Sequence, residues 1–106
     1  MPYLKSAILV VALLGLSQWS QAGEQTAEQL YQRSLAATCA NCHGTDGKGL
    51  VNGSIPQINQ LSSGEILAQL LAYKSGARAG TIMPQLAKGY TDEQLTTIAE
   101  QLGKKP

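Results

Sequence analysis

Thr38-Cys39-Ala40-Asn41-Cys42-His43-Gly44 carries two thiols three residues apart and an imidazole directly after the second. Near the end of a helix, thiols at that spacing reach the two vinyl groups of one porphyrin. The next residue then sets its ring under the iron. Cys-x-x-Cys-His therefore points to c-type haem attachment, with Cys39 and Cys42 as covalent anchors and His43 as an axial ligand. Three other chemistries use parts of this pattern. An exported protein can close Cys39 and Cys42 into a structural disulfide. A thioredoxin-like redox pair belongs with alternating strands and helices, which this sequence lacks. A structural zinc site wants four ligands, and two Cys with one His do not supply them.

On the N-terminal side of the motif, Thr26-Ala27-Glu28-Gln29 has the form of a capping box. The helix formers that follow, with apolar Leu30, Tyr31 and Leu35, predict a helix from about 27 to 39. On the other side, Gly44, Gly47, Gly49, Gly53 and Pro56 punctuate a polar stretch to Leu61, which reads as a loop. Loops of that length are uncommon unless they bind something. Ser62-Ser63-Gly64-Glu65 opens a second helix that should end near Lys74, before Gly76. A second loop, Ser75 to Tyr90, holds Met83-Pro84. Thr91-Asp92-Glu93-Gln94 opens a last helix with Leu95, Ile98, Ala99 and Leu102 on one face and Gly103 at its stop. Three helices joined by two long loops bury little by themselves, and a flat apolar cofactor between the loops would complete the core.

The first residues have a different character. Lys5 precedes the apolar run Ala7 to Leu16, and Ser20-Gln21-Ala22 has small residues where a signal peptidase reads. The run is short of the ~20 residues that span a membrane. A signal peptide over 1–22, cleaved after Ala22, and one domain over 23–106 are the expectation, with a periplasmic location and no lasting membrane insertion. An uncleaved anchor is the alternative. The domain then has no Phe and no Trp; chains so short and poor in aromatics often need a disulfide, metal or cofactor. Loss of Lys5 leaves seven basic against seven acidic residues. That balance points away from nucleic acid and from anionic membranes, which call for clustered Lys and Arg.

The second axial ligand follows by elimination. His43 is the only histidine, so two histidines from one subunit are excluded. Met1 leaves with the signal, so Met83 is the remaining thioether. A His/Met pair is an established haem ligation with a raised potential; the plainer alternative is a Met that fills an apolar gap. The free ring nitrogen of His43 needs an acceptor, and the carbonyl of Pro56 is the candidate, against an ordinary loop proline. Tyr73 and Tyr90 flank the Met83 loop and can line the haem edge or bond a propionate, or simply keep the hydroxyl in water. Lys48, Lys74, Arg78 and Lys88 lie in or beside the loops, where such residues are most often solvated.

The order of these features resembles class I cytochromes c: an N-terminal helix ending in CANCHG, an Ile55-Pro56 loop, a Met-Pro loop and a C-terminal helix. The resemblance implies an all-α fold with three main helices wrapped around one covalent haem c. It implies the roles of Cys39, Cys42, His43, Met83 and Pro56 given above. It also implies that the first and last helices pack across each other, bringing Leu30, Tyr31 and Leu35 toward Leu95, Ile98 and Leu102. The last helix lacks the aromatic residue often found at that crossing. CANCHGTDG and LLAYKSGARAGTIMPQLAKGYTDEQL are similar to the cytochrome subunits of flavocytochrome c sulfide dehydrogenases. That likeness implies a non-catalytic electron-transfer subunit whose partner is a flavoprotein. Two other functions stay open: a free diffusible carrier for a respiratory or photosynthetic chain, and a haem gas sensor or small catalytic haem module with an open iron.

Overall fold

The computed structural model describes Tyr3 and residues 23–106, so the expected signal peptide over 1–22 lies outside the described residues apart from Tyr3. Five helices follow in order: α1 (Ala27–Ala37), α2 (Ala40–His43), α3 (Ser63–Ser75), α4 (Met83–Lys88) and α5 (Asp92–Leu102), with a 3-10 turn at Thr45–Gly47 after α2. There is no strand among the described residues.

All three long helices start where the sequence places them, for a local reason. The Gln29 amide donates to Thr26 Oγ1 while the Thr26 amide donates to Gln29 Oε1. Ser62 with Glu65, and Thr91 with Gln94, close the same reciprocal pair at α3 and α5. Each box satisfies two amides that a helix start leaves free. Glu65 accepts from both the amide and the hydroxyl of Ser62, and these bonds hold its carboxyl below its ordinary value.

The ends are less uniform. α3 stops at Gly76, whose φ of +84° is the left-handed cap expected of glycine there. Gly103 also ends a helix, but at φ −60° it needs no left-handed backbone. It is needed for space: a Cβ at 103 would lie 2.5 Å from the Ser63 amide nitrogen. That close approach lets Lys104 N–H donate to Leu61 O at 2.7 Å and ties the end of α5 to the start of α3.

α5 is the central element, packing against both α1 and α3. Leu95, Ile98 and Ala99 are buried along its inner face, with Ile66 of α3, Ala36 of α1 and Ala87 of α4. Tyr31 of α1 supplies an aromatic at the α1–α5 crossing, where Gln94 Nε2 donates to its hydroxyl at 3.1 Å. Leu30 departs from the expected core. It is 59% exposed and lines an open groove of about 430 Å³ with Arg33, Gln101 and Leu102. It sits in the first turn of α1, away from the Ala36 end where that helix is buried.

Two corrections apply to the expected elements. α1 stops at Ala37 rather than near 39, and the motif forms a helix of its own. The second loop contains α4, so Met83 opens a short helix with Pro84 in its first turn instead of lying in irregular chain. Proline suits that place because its missing N–H has no partner there to lose.

Candidate haem site

The site begins at the break after α1. The Cys39 amide donates to Ala36 O at 3.1 Å as the last turn of α1 tightens. The next turn starts at once: Cys42 N–H and His43 N–H both donate to Cys39 O, at 3.3 and 3.0 Å. Residues three and four apart in a helical turn share a face, so Cys39, Cys42 and His43 project from one side. Cys39 is half-buried and Cys42 exposed. Burial pushes the Cys39 thiol up, against a smaller opposite pull from the Thr38 hydroxyl.

His43 is oriented by the loop that follows. Its carbonyl accepts from Gly49 N–H at 2.7 Å, which folds the chain back after one 3-10 turn. Gly49 permits this because a Cβ there would sit 2.7 Å from His43 O. The Gly47 carbonyl then accepts from both Ile58 N–H and Asn59 N–H, at 3.0 and 3.3 Å. Gln57 Nε2 donates to Gly49 O. These bonds pin residues 57–59 onto the turn and bring the preceding carbonyl to the imidazole: His43 Nδ1 lies 2.8 Å from Pro56 O. A carbonyl can only accept, so Nδ1 carries a proton, and in the neutral ring the lone pair is then on Nε2. That is the form in which an imidazole ligates a metal, with its other nitrogen fixed by an outer acceptor.

Met83 is brought into the fold from the α3 side. α4 packs on α3, and Gly80 makes room for the contact: a Cβ there would meet Tyr73 Cε1 and Pro84 Cδ, each at 3.1 Å. Arg78 stacks over the Tyr73 ring at 4.9 Å, a geometry that attracts a cation to an aromatic face. Lys74 Nζ donates to Asp92 Oδ1 at 2.7 Å. The two tyrosines thus have different surroundings. Tyr73 packs beside the Met83-Pro84 turn, while the Tyr90 hydroxyl lies 3.2 Å from Thr38 Oγ1, next to Cys39. The Thr38–Tyr90 bond spans 52 positions, and the return of Gln57 to Gly49 is likewise fixed only in three dimensions. Sequence reasoning missed both. The clustered glycines at 44, 47 and 49 were the one visible sign of a tightly folded turn.

The residues present fit a porphyrin iron. A tautomer-fixed imidazole, a thioether and two thiols on one helical face match the donor chemistry of a c-type haem. Apolar side chains next to Pro56 and Met83 in the chain, namely Ile55, Ile82 and Leu86, are 42%, 62% and 50% exposed. A flat apolar ring would cover surface of this kind.

Comparison with known proteins agrees. The Cytochrome c family profile matches residues 25–103. The cytochrome subunit of sulfide dehydrogenase from Chlorobaculum tepidum is 44% identical over 69 residues, 65% of this chain and 61% of that protein. A thiosulfate dehydrogenase electron acceptor from Stutzerimonas stutzeri is 34% identical over 98 residues, 91% of this chain and 45% of that protein. Cytochrome c-553 of Helicobacter pylori is 34% identical over 70 residues, 66% of this chain and 73% of that protein. The chain thus spans less than two thirds of the length of the first two relatives. With an all-α fold, a Cys-x-x-Cys-His turn and a family match over most of its length, the chain belongs to the cytochrome c family, as a class I electron carrier with one covalent haem c.

Proposed function

We propose that the chain is an exported electron-transfer subunit that accepts electrons from a flavoprotein sulfide dehydrogenase and passes them on. In this reading Cys39 and Cys42 hold the haem through thioethers, and His43 and Met83 are the axial ligands. The haem supplies a one-electron ferric/ferrous couple. The protein's part is to hold that couple at a set potential in a partly dry pocket.

The observation that carries the site assignment is the 2.8 Å bond from His43 Nδ1–H to Pro56 O. It fixes the ring and raises the basicity of Nε2, which favours the ferric iron. The thioether of Met83 opposes this by favouring the reduced state and raising the potential. Pro56 contributes its carbonyl, and Tyr73 buttresses the Met83-Pro84 turn. Among the described residues no helix is long and apolar enough to cross a membrane. Export by a cleaved signal over 1–22 and release into the periplasm belong to the same proposal.

Similarity to the sulfide dehydrogenase cytochrome subunit of Chlorobaculum tepidum supports this choice of partner. Its test is co-purification with a flavin-containing protein, and haem reduction by sulfide only when that protein is present. Reduction at equal rate by an unrelated dehydrogenase, with no flavoprotein bound, would reject this partner. A second reading has its own support: the relative matched over 91% of this chain is a thiosulfate dehydrogenase electron acceptor. It predicts reduction by a thiosulfate-oxidising enzyme and no stable flavoprotein complex.

A further inference from the structure

The geometry points to Tyr90 and Thr38 as a positioning pair that holds the Met83 segment against the haem-attachment turn. This inference rests on the proposed ligation by Met83. Residues 76–91 connect α3 to α5 and contain α4, with Met83 midway between Lys74 and Asp92. Besides the packing of α4 on α3, two side-chain ties close this segment. The first is the Lys74–Asp92 ion pair at its root, 2.7 Å long, with side chains 31% and 69% exposed. A pair so open to water and salt contributes little.

The second tie reaches further. Tyr90 follows α4 closely, and its amide donates to Ala87 O at 3.3 Å, so its backbone is continuous with the Met83 helix. Its hydroxyl meets Thr38 Oγ1, the residue before Cys39. The direction of that bond can be deduced. Thr38 Oγ1 has one proton and donates it to Leu35 O at 3.0 Å. Its remaining capacity is to accept, so Tyr90 O–H is the donor. Thr38 is thereby fixed at the last turn of α1, one residue from a covalent anchor, and Tyr90 is fixed to Thr38.

One hydrogen bond thus joins the segment that would carry the distal ligand to the segment that would carry the proximal one. It lies on neither ligand, so removing it leaves haem attachment and the His43–Pro56 bond in place. What changes is how often the Met83 segment swings away. With Met83 as a ligand, carbon monoxide could reach the reduced iron only after Met83 let go, so that rate would read the opening.

The test uses the haem-loaded protein and four variants: Tyr90→Phe, Thr38→Val, the double variant and Met83→Ala. Either single change should raise the carbon monoxide binding rate roughly three- to tenfold, the worth of one net hydrogen bond. Each should also lower the pH at which the sulfur-to-iron charge-transfer band fades. The double variant should match Thr38→Val, because that change already removes the bond Tyr90→Phe would break; only Thr38→Val also loses the bond to Leu35 O. A Tyr90 hydroxyl that instead served a haem propionate would leave Thr38→Val silent, which overturns the inference. So would additive effects, or a shift in urea midpoint with no change in the carbon monoxide rate. If Tyr90→Phe fails to mature, Thr38→Val carries the test with the same expected outcome. The underlying reading fails separately, and visibly, if the parent protein has no charge-transfer band or if Met83→Ala retains it.

Discussion

At the scale of single residues, the chemistry is local and so was legible in the sequence. Cys39, Cys42 and His43 fall within one turn, and their spacing alone brings them to one face. Elimination made Met83 the candidate second ligand, because the chain offers no second histidine and no other methionine after Met1. The Pro56 carbonyl was a candidate on other grounds, the need of a ligating histidine for an outer acceptor, and it lies 2.8 Å from His43 Nδ1. What the sequence did not reveal is the machinery that delivers it. Gly49 reads in sequence only as one of several loop glycines, yet the His43 carbonyl oxygen lies 2.7 Å from where its Cβ would go. Gly49→Ala should therefore cost about 1–3 kcal/mol, the usual penalty for forcing an extra methyl into a packed place. Gly64→Ala is the control, since its Cβ meets only Ser62 Oγ at 4.0 Å, and helix propensity favours alanine there. Urea unfolding of the two haem-loaded variants checks this, and equal stabilities would contradict the turn's dependence on Gly49.

At the scale of elements, α1, α3 and α5 could be read because each announces its own start. Thr26, Ser62 and Thr91 are three residues ahead of Gln29, Glu65 and Gln94, and all six make the bonds that their types suggest. α4 had no such signal. Met83–Lys88 is too short to show a helical period, Ile82 provides no side-chain cap, and Pro84 reads equally well as a loop residue. Its helical form depends on packing against α3, which a linear reading does not contain. Gly103 illustrates the same limit from the other side: the helix stop was foreseen, but its cause is crowding by Ser63 and not backbone handedness. The α3 box gives a prediction with a sign. Folding lowers the Glu65 carboxyl below its ordinary value through the Ser62 amide and hydroxyl. The box therefore adds stability above the ordinary glutamate range, and loses it as pH falls through the lowered folded-state value. Ser62→Ala should cost about 1 kcal/mol at neutral pH, and the gap to the parent should narrow in acid. A gap independent of pH would show that Glu65 takes no part.

At the scale of the whole molecule, the protein alone is a thin structure. Among the described residues the buried apolar ones are Ala36, Ile66, Ala87, Leu95, Ile98 and Ala99, and half of these are alanines. Tyr31, Leu50, Val51, Ile55, Ile82 and Leu86 are exposed. A domain of this size normally needs help to stay folded, and a ligand that binds only the native form provides it by mass action. A chain with Cys39→Ala and Cys42→Ala, matured without haem, should lose most of its helical circular dichroism under conditions where the parent is folded. Retention of a native-like spectrum and a cooperative melt would show that the helices sustain themselves. The topology behind this, with α5 packed on both α1 and α3, was visible in outline as amphipathic helices separated by loops. The ties that unite the two loops with α1, such as Thr38 to Tyr90, belong to the three-dimensional fold and leave no mark in sequence order.

The central claim is that one porphyrin is bonded to both thiols of the Cys39–Cys42 turn, with His43 beside them. Mass spectrometry of the protein matured in a host with an intact haem-attachment system tests it most directly. Trypsin cuts after Arg33 and Lys48, so the peptide Ser34–Lys48 contains both cysteines and the histidine. The account predicts that this peptide alone carries the mass of one haem, and that the mass survives denaturation. A bare peptide with two free thiols, or one closed by a disulfide, would contradict it.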